Sequence, residues 1–207
     1  MDNLRSVVRL AEVDVPEVVD VLCESFLDYP VMRFVLGADP EVYERRLTTL
    51  IHYFVMARIL RGEAILGVAD SGGLSGVALV SRPAGPGDPP ALSGLRESTW
   101  VELGVSARTR YESFEAVCAR SEVAMPHIFL DMIGVRRAVQ GAGLGDRLMQ
   151  RVHAISFADP DSGGVKLTTE IEANVSLYQH FGYEVVGRAI FAPGMTTWSL
   201  FRPDPDQ

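Results

Sequence analysis

The feature that most constrains this chain is an abrupt change of pattern near residue 136. Ile128 to Val135 form a nearly continuous apolar run, bounded by Pro126 on one side and Arg136-Arg137 on the other. A run of that length reads as a central strand covered on both faces. Gly141, Gly143 and Gly145 follow at once, and beyond them Leu144, Leu148, Val152 and Ile155 recur at helical spacing. The order is therefore strand, glycine-rich turn, helix. The first amides of a helix have no intrahelical partners and carry the positive end of the dipole. Glycines let an anion approach them closely, which makes the turn a candidate cradle for a pyrophosphate.

The spacing restricts which pyrophosphate. A dinucleotide fingerprint needs a third glycine where Asp146 stands, and an ATP-type loop needs a Gly-Lys-Ser/Thr that is missing. What remains is Gln-x-x-Gly-x-Gly, carried by Gln140, Gly143 and Gly145. A turn that only packs a helix tightly on a sheet is the competing reading of these six residues.

The rest of the chain predicts strands at 7–10, 64–69, 74–81, 165–169, 183–191 and 196–201. Asp70-Ser71-Gly72-Gly73 and Ala192-Pro193-Gly194 supply hairpin turns. Helices are predicted after Asp14 and after Asp39-Pro40-Glu41, with a mainly helical stretch over 92–123 and a short helix capped by Asn174 and ending near Phe181-Gly182. The turn Asp28-Tyr29-Pro30 interrupts the first helix. The sum is one α/β (α+β) domain over 1–207, a mixed central sheet flanked by helices on both faces, with a helical and loop insertion at about 84–123.

Composition narrows the function. With 19 Lys+Arg against 27 Asp+Glu the net charge is −8, which disfavours broad phosphate-backbone binding and any nucleic-acid partner. No apolar run reaches the ~20 residues that span a bilayer, and residues 1–10 carry Asp2, Arg5 and Arg9 in place of a secretory core. The expectation is a cytoplasmic protein without a membrane partner, a monomer or homodimer. Cys23 and Cys118 read as buried thiols in helices, and no Cys/His cluster has metal-ligand spacing, so no metal is expected.

The Gln140–Gly143–Gly145 pattern, placed after a strand ending Met132-Ile133-Gly134-Val135, resembles the cofactor motif of the GNAT superfamily of N-acetyltransferases. The stretch Asn174-Val175-Ser176-Leu177-Tyr178-Gln179-His180-Phe181-Gly182-Tyr183 resembles that family's helix with the catalytic tyrosine. Val8-Arg9-Leu10-Ala11, Asp28-Tyr29-Pro30 and Pro126-His127-Ile128-Phe129-Leu130 are similar to the puromycin N-acetyltransferase-like branch. Asn174 stands four residues before Tyr178, where the commoner family spacing is seven, and Arg136-Arg137-Ala138 replaces a usual proline.

The resemblance implies acetyl-CoA as co-substrate, with the pyrophosphate on Gln140, Gly141, Ala142, Gly143, Leu144, Gly145 and Asp146. It implies backbone contacts from Ile133, Gly134 and Val135 to the pantetheine arm, a further contact from Asn174, and Tyr178 as general acid to the departing thiolate. Asn174 as a helix cap and Tyr178 as a core aromatic are the structural alternatives. Arg136, Arg137 and Arg147 are candidates for the ribose phosphate or simply solvated charges. For the base, period two places His127, Phe129, Asp131 and Ile133 on one strand face, with His127 as the candidate and Asp131 its competitor. His52, His153 and His180 read as structural, and Tyr29, Tyr53 and Trp100 as possible pocket walls. The expected reaction is acetyl transfer to an amine of a small molecule. A protein or peptide amine acceptor, a non-catalytic acyl-CoA sensor and a nucleotide-binding reductase are the alternatives.

Overall fold

The computed structural model describes residues 6–70, 72–83, 87–121 and 123–205. Seven strands form one sheet: β1 (Val7–Arg9), β2 (Ala64–Asp70), β3 (Gly73–Ser81), β4 (Ile128–Val135), β5 (Gly164–Thr169), β6 (Glu184–Ala192) and β7 (Met195–Pro203). Their order is β1-β2-β3-β4-β5-β7-β6, and β4–β5 is the parallel pair among antiparallel neighbours. The strands and both hairpins lie where alternation and turn chemistry place them, except that Ser71 and residues 84–86 of the expected loop fall outside the described residues, as do Asp2 and Arg5.

Seven helices cover the sheet: α1 (Val15–Phe26), α2 (Pro30–Leu36), α3 (Tyr43–Arg61), α4 (Pro90–Leu103), α5 (Val105–Cys118), α6 (Leu144–Ala158) and α7 (Glu172–His180). Pro30 does more than interrupt the first helix: it opens α2, because a proline at the first helical position needs no hydrogen-bonded N–H. The Asp39-Pro40-Glu41 signal is displaced, with Asp39 accepting the Tyr43 N–H and α3 beginning there. The stretch over 92–123 is two helices broken at Gly104, whose φ of +83 no helix continues.

Two cores lie on opposite faces of the sheet. One is built from α1–α5 with Val77, Leu79 and Met132. The other holds α6 and α7 against Val80, Ile128, Leu130 and Leu167. β4 changes faces part-way. Leu79 pairs Met132 but Val80 pairs Leu130, so Asp131 is an extra residue, a β-bulge. Ile128 and Leu130 therefore belong to the α6 core, while Met132 belongs to the other. The single-face assignment of His127, Phe129, Asp131 and Ile133 fails here, because the bulge breaks the period of two.

The bulge also separates two strands. β4 pairs β5 at Ile128↔Val165, Phe129↔Lys166 and Leu130↔Leu167, and that pairing stops there. Beyond it β4 continues against β3 and β5 against β7. The sheet opens as a notch between the carboxyl ends of two parallel strands.

Candidate active site

The 140–145 loop follows the end of β4 and leads into α6. Gly141 (φ +81) and Gly143 (φ +76) occupy the left-handed region, where a side chain is strained. Added Cβ atoms at Gly141, Gly143 and Gly145 would meet nothing within 4 Å, so the loop faces open space. Gly143 caps α6 without a side-chain hydrogen bond, leaving the opening amides of Leu144, Gly145 and Asp146 with no intrahelical acceptor. Gln140 is turned inward, donating from Nε2 to the Val135 carbonyl at 3.2 Å, which ties the loop to the end of β4. Ser25 Oγ shares its proton between the Val21 carbonyl at 2.9 Å and this carbonyl at 3.3 Å, and α1 approaches Gly134 so closely that a Cβ would stand 2.6 Å from that hydroxyl. These residues fit a diphosphate: small, open, anion-seeking and fixed from behind.

The cavity beside the notch has a volume of about 380 Å³ and is walled by α1–α3, α5, β4, β5 and α7. Ile133, Asn174, Tyr178, Tyr29, Asp131 and Glu170 all line it. Tyr178 is 9% exposed, and burial, seconded by Glu170, pushes its phenol up to about 12. Asn174 does not cap α7: Ile171 holds that position, and the Asn174 amide donates to Thr169 Oγ1 at 3.4 Å from within the first turn.

His127 is not brought to this site. It precedes β4 at the end where β4 and β5 still pair, roughly 20 Å of strand from Ile133 at about 3.3 Å per residue. Its Nδ1 lies 2.8 Å from the Met125 carbonyl, its ring 6.0 Å from that of Phe201, and it is absent from the cavity wall. Its competitor Asp131 lines the cavity but is committed. It is largely buried, accepts Ser81 Oγ at 2.6 Å and is ion-paired with Arg58. Tyr53 and Trp100 lie off the wall, 6.4 Å apart in an aromatic cluster behind it. Arg136 is spent on Asp20 (2.6 Å), Glu24 (2.9 Å) and the Leu74 carbonyl (3.0 Å), and Arg137 on Asp28 (2.8 Å). Cys118 lines the cavity as a thiol raised to about 12 by burial, far from thiolate chemistry.

Glu170 is the group that sequence reasoning missed. It stands one residue past the carboxyl end of β5, on the face shared by Lys166 and Thr168. Thr197 Oγ1 donates to its Oε1 at 2.7 Å, and its own N–H donates to Tyr29 Oη at 3.3 Å. Burial lifts its carboxyl from 4.5 to about 7, partly opposed by hydrogen bonds from Thr197 and Tyr29. The available signal was a carboxylate placed directly after a buried apolar strand, where open sheets gather their ligands. A carboxyl raised towards neutrality and a phenol that keeps its proton thus share one cavity, whose wall reaches Ile133 on the strand that leads to the glycine loop.

No family model matches the chain. Solved structures do. A Corynebacterium glutamicum structure described as histone acetyltransferase HPA2 and related acetyltransferase superposes with a TM-score of 0.69 at 22% identity, over 98% of each chain. The fold is that of the GNAT acetyltransferases. The C-terminal condensation domain of Ebony, in complex with beta-alanyl-dopamine, superposes at 0.64 with 10% identity over 96% of this chain and 98% of that domain. The Escherichia coli ribosomal-protein-S18-alanine N-acetyltransferase follows at 0.53 and 11% identity, over 98% and 96%. The fold thus serves small and macromolecular acceptors alike, and the acceptor has to be argued from the cavity. Among the described residues, no helix is long and apolar enough to cross a membrane.

Proposed function

We propose that this chain is an acetyl-CoA-dependent N-acetyltransferase acting on a small-molecule amine. The observation that carries the reading is a juxtaposition along β4: the cavity that holds Tyr178 and Glu170 reaches Ile133 on a strand edge that β5 leaves open, and the glycine cradle follows the end of that strand. Acetyl-CoA supplies the activated acyl group. The 140–145 loop and the first amides of α6 hold its pyrophosphate, and the unpaired edge of β4 at Ile133 and Gly134 receives the pantetheine arm as an added strand. The Val135 carbonyl contributes less, because Gln140 already donates to it.

Glu170 replaces His127 as the base in this reading. It accepts the ammonium proton, so that a neutral amine attacks the thioester carbon, and the carbon–sulfur bond breaks as the carbon–nitrogen bond forms. Tyr178 donates a proton to the departing thiolate and recovers one from the nitrogen as the new amide forms. Its raised pKa keeps that proton in place at neutral pH. Arg58 and Asp131 hold the cavity floor by pairing with each other.

The small acceptor follows from enclosure: α2 and α5 wall the cavity and leave a volume suited to a compact ligand. The sequence likeness to the puromycin-type branch points the same way. The test is turnover of acetyl-CoA against a panel of small amines and N-terminal peptides, with products identified by mass spectrometry. Acetylated small amines are expected. Turnover confined to peptides would end the small-amine reading, and acetyl-CoA binding without turnover of either would leave a non-catalytic acyl-CoA sensor.

A further inference from the structure

The side of the acceptor cavity formed by α3 and α5 is built from aromatic rings. Phe54 of α3 and Tyr111 and Phe114 of α5 line it, and each is held by rings behind it. Phe54 and Tyr111 belong to a closed circuit of four rings. Its centroid separations are 5.9 Å for Phe54–Tyr111, 5.0 Å for Tyr111–Trp100, 6.4 Å for Trp100–Tyr53 and 5.7 Å for Tyr53–Phe54. Phe114 meets Phe191 of β6 edge-on at 5.0 Å, and Phe191 meets Phe34 of α2 in the same way at 5.3 Å. From the end of α1, Phe26 and Tyr29 add two more lining rings, 4.9 Å apart. Rings fixed by other rings present faces and edges of set direction. Such a wall favours a flat aromatic guest, in offset or edge-on contact, over a flexible chain of the same area.

The charges along the wall nearly balance. Arg58 and Lys166, both buried, stand against Asp131, Glu170 and Glu115, and Glu115 is solvent-exposed. Arg58 is paired with Asp131, and Lys166 has an interaction of its own. The interior therefore offers no excess of one sign that would gather a polycation or a polyanion. A sugar-like acceptor would bury many hydroxyls against rings that cannot bond them. The volume of about 380 Å³ lies near the lower end for ligand pockets, which suits one compact body.

From the rings and the charge balance we infer that the acceptor is an arylalkylamine: one aromatic ring on a short chain that ends in a single amine. The ring stands against Phe54, Tyr111 and Phe114, and the amine reaches Glu170 and Tyr178. The inference rests on the acetyltransferase reading and names the substrate class of that same site. Phe54 and Phe114 touch the acceptor away from the reacting atoms, so they set specificity and take no part in the chemistry. The acetyl group passes from sulfur to the amine nitrogen, and the product is an uncharged amide.

The experiment compares kcat/KM, with acetyl-CoA and the full chain, for four amines of equal carbon count: phenethylamine, cyclohexylethylamine, octylamine and diaminooctane. Glucosamine serves as the polar acceptor. Phenethylamine should exceed octylamine, diaminooctane and glucosamine tenfold or more, and should exceed cyclohexylethylamine severalfold, because that ring has the bulk without the π-face. Phe54→Leu and Phe114→Leu keep an apolar side chain, and each should shrink the ratio of phenethylamine to octylamine at least threefold. Any of the other four amines equalling phenethylamine in the wild-type protein overturns the inference, as does a ratio that neither variant changes in folded protein. In those cases turnover of the better amine leaves the acetyltransferase reading standing. Turnover of no small amine overturns both.

Discussion

Replacing Glu170 by Gln should slow catalysis and stabilise the protein, and the two effects should share one pH dependence. Gln keeps an acceptor for Thr197 Oγ1, so the 2.7 Å hydrogen bond has a neutral equivalent. What disappears is a charge that burial disfavours. The carboxyl lies at about 7 in the folded chain against an ordinary 4.5. A raised carboxylate pKa means that the folded chain binds the proton more tightly than the unfolded one. Its contribution is fully present below pH 4.5 and is lost as pH rises through 7. At about 1.36 kcal/mol per tenfold change, the ceiling is roughly 3 kcal/mol above pH 8. For a domain of this size that corresponds to roughly 6–12 °C in Tm. Thermal unfolding of wild type and Glu170→Gln at pH 4 and pH 8.5 should give curves that nearly coincide at the lower pH, with the variant higher at the other. The same substitution should lower kcat/KM by ~10²-fold or more and remove the ionisation near pH 7 from its profile. A variant no more stable at pH 8.5 than wild type, or one that keeps that ionisation, would refute both the burial cost and the base.

Tyr178→Phe retains the ring that packs at 5.9 Å from Tyr183 and removes the proton donor, so kcat should fall ~10²–10⁴-fold with little change in acetyl-CoA affinity; a kcat within twofold of wild type returns Tyr178 to the core. Gly143→Val strains a φ of +76 and fills space open in the free protein, and should weaken acetyl-CoA binding tenfold or more, about 1.4 kcal/mol, by calorimetry; unchanged affinity in a folded variant would move the pyrophosphate elsewhere. Arg58→Met leaves the carboxylate of Asp131 buried without its cation and should cost about 3–5 kcal/mol in urea unfolding, whereas a loss below about 1 kcal/mol would mean that Asp131 is protonated in the folded chain.

The fold was largely legible because its signals are local. Alternation, hairpin turns and the strand–glycine–helix junction each depend on residues close in sequence, and the order β4, loop, α6 follows from one short segment. The loop's glycines were legible for the same reason. The base was not. Assigning His127 assumed an unbroken period of two along β4, and one extra residue at Asp131 removes that premise. A bulge depends on the partner strand, here the step from Leu79↔Met132 to Val80↔Leu130, and no local pattern in 128–135 encodes it. Glu170 was hidden differently. Its elevated pKa arises from burial, partly opposed by hydrogen bonds from Thr197 and Tyr29, which lie 27 and 141 residues away in the chain and meet it only when the sheet closes. Arg136, one of the arginines considered for the ribose phosphate, is instead engaged by Asp20 and Glu24 of α1. That is a tertiary pairing that composition cannot anticipate.

The account turns on where the anionic end of the co-substrate sits. An amide chemical-shift titration of the isotopically labelled chain with acetyl-CoA reads that position residue by residue. The account predicts the largest shifts at Gly143, Leu144, Gly145 and Asp146, smaller ones at Ile133 and Gly134, and none at His127. NADH at equal concentration should not reproduce this pattern. Shifts centred away from the start of α6, or the same shifts with NADH, would contradict it.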